Sequence, residues 1–146
     1  MNAHAPHVTV DLARRLRDAG LRWHPASGDR FVVLQDALAG EVFTISEMTI
    51  EAHAFDTGTV LGFNGTTEWA LDSVALGDAL WLPREDQMRE LLGGTFRSLA
   101  RSTDGRYQVV VELLGRPEQS FSADTAADAY AEALLSLVAS ATERVG

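Results

Sequence analysis

Residues 81–92 read WLPREDQMRELL and residues 124–138 read DTAADAYAEALLSLV, and what lies between them decides the fold. The first stretch reads as a helix start. Pro83 suits a first turn, where no amide hydrogen is needed, and Glu85 and Asp86 complement the positive end of the helix dipole. Met88, Leu91 and Leu92 give it an apolar side, and Gly93-Gly94 stops it. Two strand patterns follow, Thr95 to Arg101 and Arg106 to Leu113, joined by the turn residues Thr103-Asp104-Gly105. In the first, Phe96, Ser98 and Ala100 alternate with Arg97, Leu99 and Arg101. A third strand, about Gln119 to Ser122, follows Gly115-Arg116-Pro117. The last helix begins near Asp124 or Thr125, and Ala126, Ala129, Tyr130, Ala133, Leu134, Leu137, Val138 and Ala141 form a wide apolar stripe along it. The order helix–strand–strand–strand–helix predicts an antiparallel sheet with helices on one face.

The first half adds a helix and further strands. Thr9 or Asp11 caps a helix in which Val10, Ala13, Leu16 and Ala19 recur at helical spacing, and Gly20 ends it. Trp23-His24-Pro25 leaves as an extended connector, because proline disfavours a helical residue before it. Arg30 to Leu34 and Val42 to Ile45 read as strands. Thr49 to Phe55 and Thr59 to Phe63, joined by Asp56-Thr57-Gly58, read as a hairpin. Asn64-Gly65 fits either a tight hairpin turn or the approach to a short helix from Glu68 to Val74; the lack of alternation in Trp69 to Val74 favours the helix. The expectation is a single α+β domain over residues 8–142, with loose ends at 1–7 and 143–146.

Charge is distributed unevenly. Phe31 to Leu82 holds no Lys or Arg but eight acids, whereas the first thirty residues carry five Arg against three acids. Residues 83–146 carry seven Arg against ten acids, so most of the net −9 sits in the middle third. That argues against nucleic acid as a partner and for an acidic face that meets a cation or a basic protein surface; Glu47, Glu51 and Asp56 mark it. The absence of cysteine excludes disulfides, thiolate nucleophiles and cysteine-based metal sites. No run approaches the ~20 apolar residues of a bilayer span, and the first residues lack the pattern of a signal peptide, so the expected location is cytoplasmic and away from the membrane.

No catalytic constellation emerges. There is no Gly-x-Ser-x-Gly elbow and no dinucleotide fingerprint, and a chain whose twelve basic residues are all arginine has no P-loop lysine. His4 and His7 sit three apart without a third ligand nearby, and the acids lack the alternate spacing of a calcium loop, so no metal or cofactor is expected. Asn64-Gly65-Thr66-Thr67-Glu68-Trp69 is the richest candidate surface: an amide, two hydroxyls, a carboxylate and an indole in six residues. Trp23, His24 and Arg30 are its candidate helpers, while Trp81-Leu82-Pro83 reads as a core anchor.

Several blocks also resemble a known family. They are Leu16 through Gly20-Leu21-x-Trp23-x-Pro25, Gly28-Asp29-Arg30-Phe31, Phe43-x-Ile45-Ser46-Glu47-Met48-Thr49, Gly62 to Asp72 and Trp81 to Gln87, with the alanine-rich end at Ala126 to Leu135. Over roughly residues 10–140 the chain resembles small uncharacterised bacterial proteins, largely actinobacterial, some labelled pilus assembly protein. The resemblance implies no activity, cofactor or catalytic residue. The sequence reading is a non-enzymatic interaction or regulatory module with an acidic face. Its alternatives are a ligand binder or enzyme with a cleft near Asn64 to Trp69, and a phage- or toxin-linked accessory protein. Self-association as a homodimer is a further expectation, because open sheet edges invite pairing.

Overall fold

Val10–Ala19 forms helix α1 because both of its ends are chemically specified. Thr9 is extended, so its hydroxyl accepts from the Leu12 amide and satisfies one of the first-turn donors. Gly20, at φ +117°, takes the left-handed conformation and donates its N–H to the Arg17 and Leu16 carbonyls. The computed structural model describes residues 7–34, 41–45, 50–55, 58–63 and 73–145, with side chains for 7–34, 41–45 and 77–142. The chain divides into two compact units, one of residues 1–22 with 83–146 and the other of residues 23–82.

In the first unit α1 is followed by helix α2 (Glu85–Leu92), strands β7 (Phe96–Arg101), β8 (Tyr107–Val111) and β9 (Gln119–Ala123), and helix α3 (Ala126–Val145). The three strands form an antiparallel sheet in chain order. Helix α3 packs on β8 and β9, and α1 and α2 pack on α3. Leu12, Leu16, Met88, Leu92, Val109, Val111 and Leu134 are buried, each worth about 1.5–3 kcal/mol of apolar transfer. The first half of the predicted α3 stripe is buried at Ala129, Tyr130, Ala133 and Leu134, whereas Leu137 and Val138 are half-buried and Ala141 is exposed. Helix α2 starts two residues beyond Pro83: Arg84 is its N-cap residue and donates its backbone N–H to the Gln87 side-chain oxygen at 2.9 Å.

The expected alternation of β7 is interrupted. A bulge between Phe96 and Ser98 puts Phe96 opposite Val111 and Leu99 opposite Val109, on the same face of the sheet. Phe96 therefore shares a face with Leu99 rather than with Ser98 and Ala100, because the extra residue, Arg97, reverses the parity. The bulge, with Arg97 and Arg101 on the same strand, also blunts this edge against further pairing.

The second unit contains two three-stranded antiparallel sheets. One has the order β2 (Val42–Thr44), β1 (Arg30–Val33), β6 (Ala79–Leu82). The other has β3 (Ile50–Phe55), β4 (Gly58–Phe63) and β5 (Ser73–Ala75). The β3–β4 hairpin keeps full register from Ile50 opposite Phe63 to Phe55 opposite Gly58. The expected helix to Val74 is corrected: Ser73–Ala75 is strand, paired with β4 through Val74 opposite Leu61, so cross-strand pairing overrides the local pattern. Residues 64–72 lie outside the described residues. β6 was not expected as a strand; it pairs along β1, with Trp81 opposite Phe31 and Leu80 opposite Val32.

Candidate functional site

The sheet β2–β1–β6 aligns one row of aromatic side chains. Phe43, Phe31 and Trp81 are direct cross-strand neighbours in the register. Phe31 and Phe43 stack at 5.5 Å between ring centroids. Trp23, from the connector after α1, lies parallel to Trp81 at 6.4 Å and 7°, and tilts against Phe31 at 5.7 Å. Such pairs add about 0.5–1.5 kcal/mol beyond area burial. Phe31 is fully buried with Val33, Ile45 and Ala79, while Trp23, Phe43 and Trp81 remain half-buried.

A carboxylate holds this row in place. Asp29 is only 3% exposed, and its Oδ2 accepts from Trp23 Nε1 at 2.9 Å and from the Ala26 amide at 3.0 Å. The backbone around it is tied too: Gly28 donates to the Ile45 carbonyl at 2.7 Å, and Ile45 donates to the Asp29 carbonyl at 2.8 Å. Burial of a charge is tolerable only with such partners. Asp29 is thus engaged in positioning Trp23 rather than free to move protons. The Trp81 Nε1 is also buried but has no acceptor among the described residues.

The sequence-predicted residues are placed as follows. Trp23 belongs to the aromatic row. His24 is exposed. Arg30 is half-buried in β1, in the row of Thr44 and Leu82, and so on the opposite face of the sheet from Phe31. The sheet therefore separates Arg30 from Trp23. Glu51 lies in β3 opposite Gly62. Glu47, Asp56, Asn64, Thr66, Thr67, Glu68 and Trp69 lie outside the described residues, as does His4. Sequence reasoning missed Asp29, whose signal was the Ser27-Gly28-Asp29 turn, and the pairing of Trp23 with Trp81, for which the sequence carries no local signal.

Ionisation shifts have local causes. The Arg84 hydrogen bond holds the Asp86 carboxyl below its ordinary value. The Ser102 hydroxyl and the Arg106 amide do the same for Asp104 in the β7–β8 turn. Burial raises the Tyr130 phenol. Among the described residues no group of three or more His, Cys, Asp or Glu side chains is arranged to hold a metal, and no helix is long and apolar enough to cross a membrane. The geometry supplies a rigid aromatic wall braced by a carboxylate, an arrangement suited to contact rather than to proton transfer. Comparison with protein-family models, with curated proteins and with solved structures returns no match.

Proposed function

We propose that the protein is a binding module whose acidic unit engages a protein partner carrying a basic surface. The observation that carries this reading is the coincidence of charge with architecture. Residues 23–82 hold one arginine, Arg30, against nine carboxylates, and so account for −8 of the chain's −9. The other unit is close to balanced, with eleven arginines against twelve acids. A field confined to one compact unit steers an oppositely charged partner toward that unit and raises its association rate. The proposed kinship with small actinobacterial proteins is compatible with this role and adds no activity to it.

The test is capture of partners on the tagged protein from its own cells, at roughly 0.05 M and roughly 0.5 M salt, where the screening length falls severalfold. A stoichiometric basic partner is expected at low salt. It should be lost at high salt and lost again when Glu47, Glu51 and Asp56 are all changed to arginine. A partner retained by the triple variant would place recognition elsewhere and overturn the acidic-unit reading.

A further inference from the structure

Strand β9 is an open edge. It ends the sheet order β7–β8–β9, and its outward N–H and C=O groups have no partner among the described residues. Natural proteins guard such an edge with charge, proline, a bulge or a very short strand. The β7 edge has a bulge and the charges of Arg97 and Arg101. β9 has none of these devices: its five residues read QSFSA, and all of them pair with β8 in unbroken register. Half-buried Phe121 lies opposite the buried Val109, on the face that packs under α3, so an added strand would cover its exposed side. Gln119, on the same face, has a buried Oε1 without a hydrogen-bond partner, a second sign of bonding left incomplete along this strand.

The charges at the two ends of β9 set what fits. Exposed Glu118 and Asp124 bracket the strand. At the Asp124 end the edge opens into a cleft of about 320 Å³, which Asp11 of α1 and Asp128 and Glu132 of α3 also line. The two arginines of this cleft are engaged, Arg15 with Glu132 at 3.6 Å and Arg106 with Asp124 at 2.7 Å. Asp11 has no partner among the described residues. In the register that pairs all five residues, a second copy of β9 would set Glu118 against Asp124 at both ends, a repulsive match. A strand with basic ends has the complementary charge.

We propose that β9 receives an extended segment of a partner protein as a fourth, antiparallel strand, with apolar residues on the α3 face and a lysine or arginine at each end, beside Glu118 and Asp124. Main-chain bonds supply the affinity, and the flanking charges select the partner. The edge lies in the unit of residues 1–22 and 83–146, so its variants leave the charge of residues 23–82 untouched and its failure is separate from failure of the proposed function.

The experiment is amide chemical-shift titration and hydrogen exchange of the whole chain with three blocked heptapeptides. The first, Arg-Val-Thr-Val-Thr-Val-Arg, sets its arginines opposite Asp124 and Glu118 and its valines opposite Ala123, Phe121 and Gln119. The second has glutamate for both arginines. The third has proline at its third and fourth positions, which removes a facing donor whichever way the strand is pleated. Saturable shifts are expected in residues 118–124 with the first peptide, and slowed amide exchange in 119–123 at saturation. The glutamate peptide should bind roughly tenfold more weakly, the effect of two exposed charge pairs, and the proline peptide not at all. The double change Glu118→Arg and Asp124→Arg, at exposed positions, should reverse the preference between the arginine and glutamate peptides. Equal binding of those two, undiminished binding of the proline peptide, or no saturable shift in residues 118–124 would overturn the assignment. So would dimers of the free protein that already protect residues 119–123, because they give the edge to a second copy.

Discussion

Trp23 Nε1 donates to Asp29 Oδ2 at 2.9 Å, and the same oxygen takes the Ala26 amide at 3.0 Å. One buried carboxylate oxygen thus sets both the turn before β1 and the indole that stacks on Trp81. The two tasks are coupled, because moving the turn moves the ring.

Asp29 is therefore sensitive to small changes. Asp29→Ala should destabilise that unit by roughly 2–3 kcal/mol, since it strands the Trp23 and Ala26 donors in a buried site. Asp29→Asn should cost only about 1 kcal/mol, because an amide oxygen can occupy the Oδ2 position and accept both bonds. All three tryptophans lie in residues 23–82, so urea unfolding followed by indole fluorescence reports this unit directly. Equal losses for the two variants would mean that the charge, not the acceptor position, matters.

Trp23 and Trp81 stack as near-equals yet differ in bonding, since Trp23 Nε1 is satisfied and Trp81 Nε1 is buried without an acceptor among the described residues. Replacing each with phenylalanine removes comparable area. Trp23→Phe also orphans part of Asp29, whereas Trp81→Phe removes an unsatisfied donor. Trp23→Phe should cost about 1–2 kcal/mol more than Trp81→Phe in the same unfolding measurement. The reverse order would reveal an acceptor for Trp81.

At the end of α1 the requirement is conformational. Gly20 sits at φ +117°, and a Cβ there would meet Thr142 Oγ1 at 3.7 Å, an ordinary contact, so space is not the obstacle. Gly20→Ala should nevertheless lower stability by about 1 kcal/mol through left-handed strain. Thermal unfolding followed by circular dichroism measures it. Thr142 also donates to the Ala19 carbonyl at 3.1 Å, so Thr142→Val should loosen the same α1–α3 junction.

Acid should act on α2 through Asp86. Its folded pKa lies below the ordinary 3.8, first because of the Arg84 hydrogen bond. A depressed carboxyl binds its proton more readily in the unfolded chain, so its contribution is present above the ordinary value and fades as pH falls through the folded one. Asp86 is exposed, so the effect is modest. The melting-temperature gap between the protein and Asp86→Asn should keep its full size down to about pH 5 and narrow as pH falls through 3.8 toward the lower folded value. A gap that stays constant would assign the loss to helix-dipole or packing effects instead.

The sequence by itself determined the elements whose signals lie within a turn or a hairpin. Thr9 and Gly20 bound α1, Thr125 caps α3 through the Asp128 amide, and the alternation of residues 50–63 pairs β3 with β4, because each depends on atoms a few residues apart. It also placed the α+β class and the acidic third that coincides with residues 23–82. Only the tertiary structure decided the rest. Residues 73–75 and 79–82 become strands because β4 and β1 offer them partners, against weak local preference. The Arg97 bulge turns Phe96 toward Tyr130, and that contact in turn seats the phenol beside α2. Trp23 meets Trp81 across fifty-eight residues of chain. Such meetings arise from the packing of separately specified elements, and no spacing along the chain encodes them.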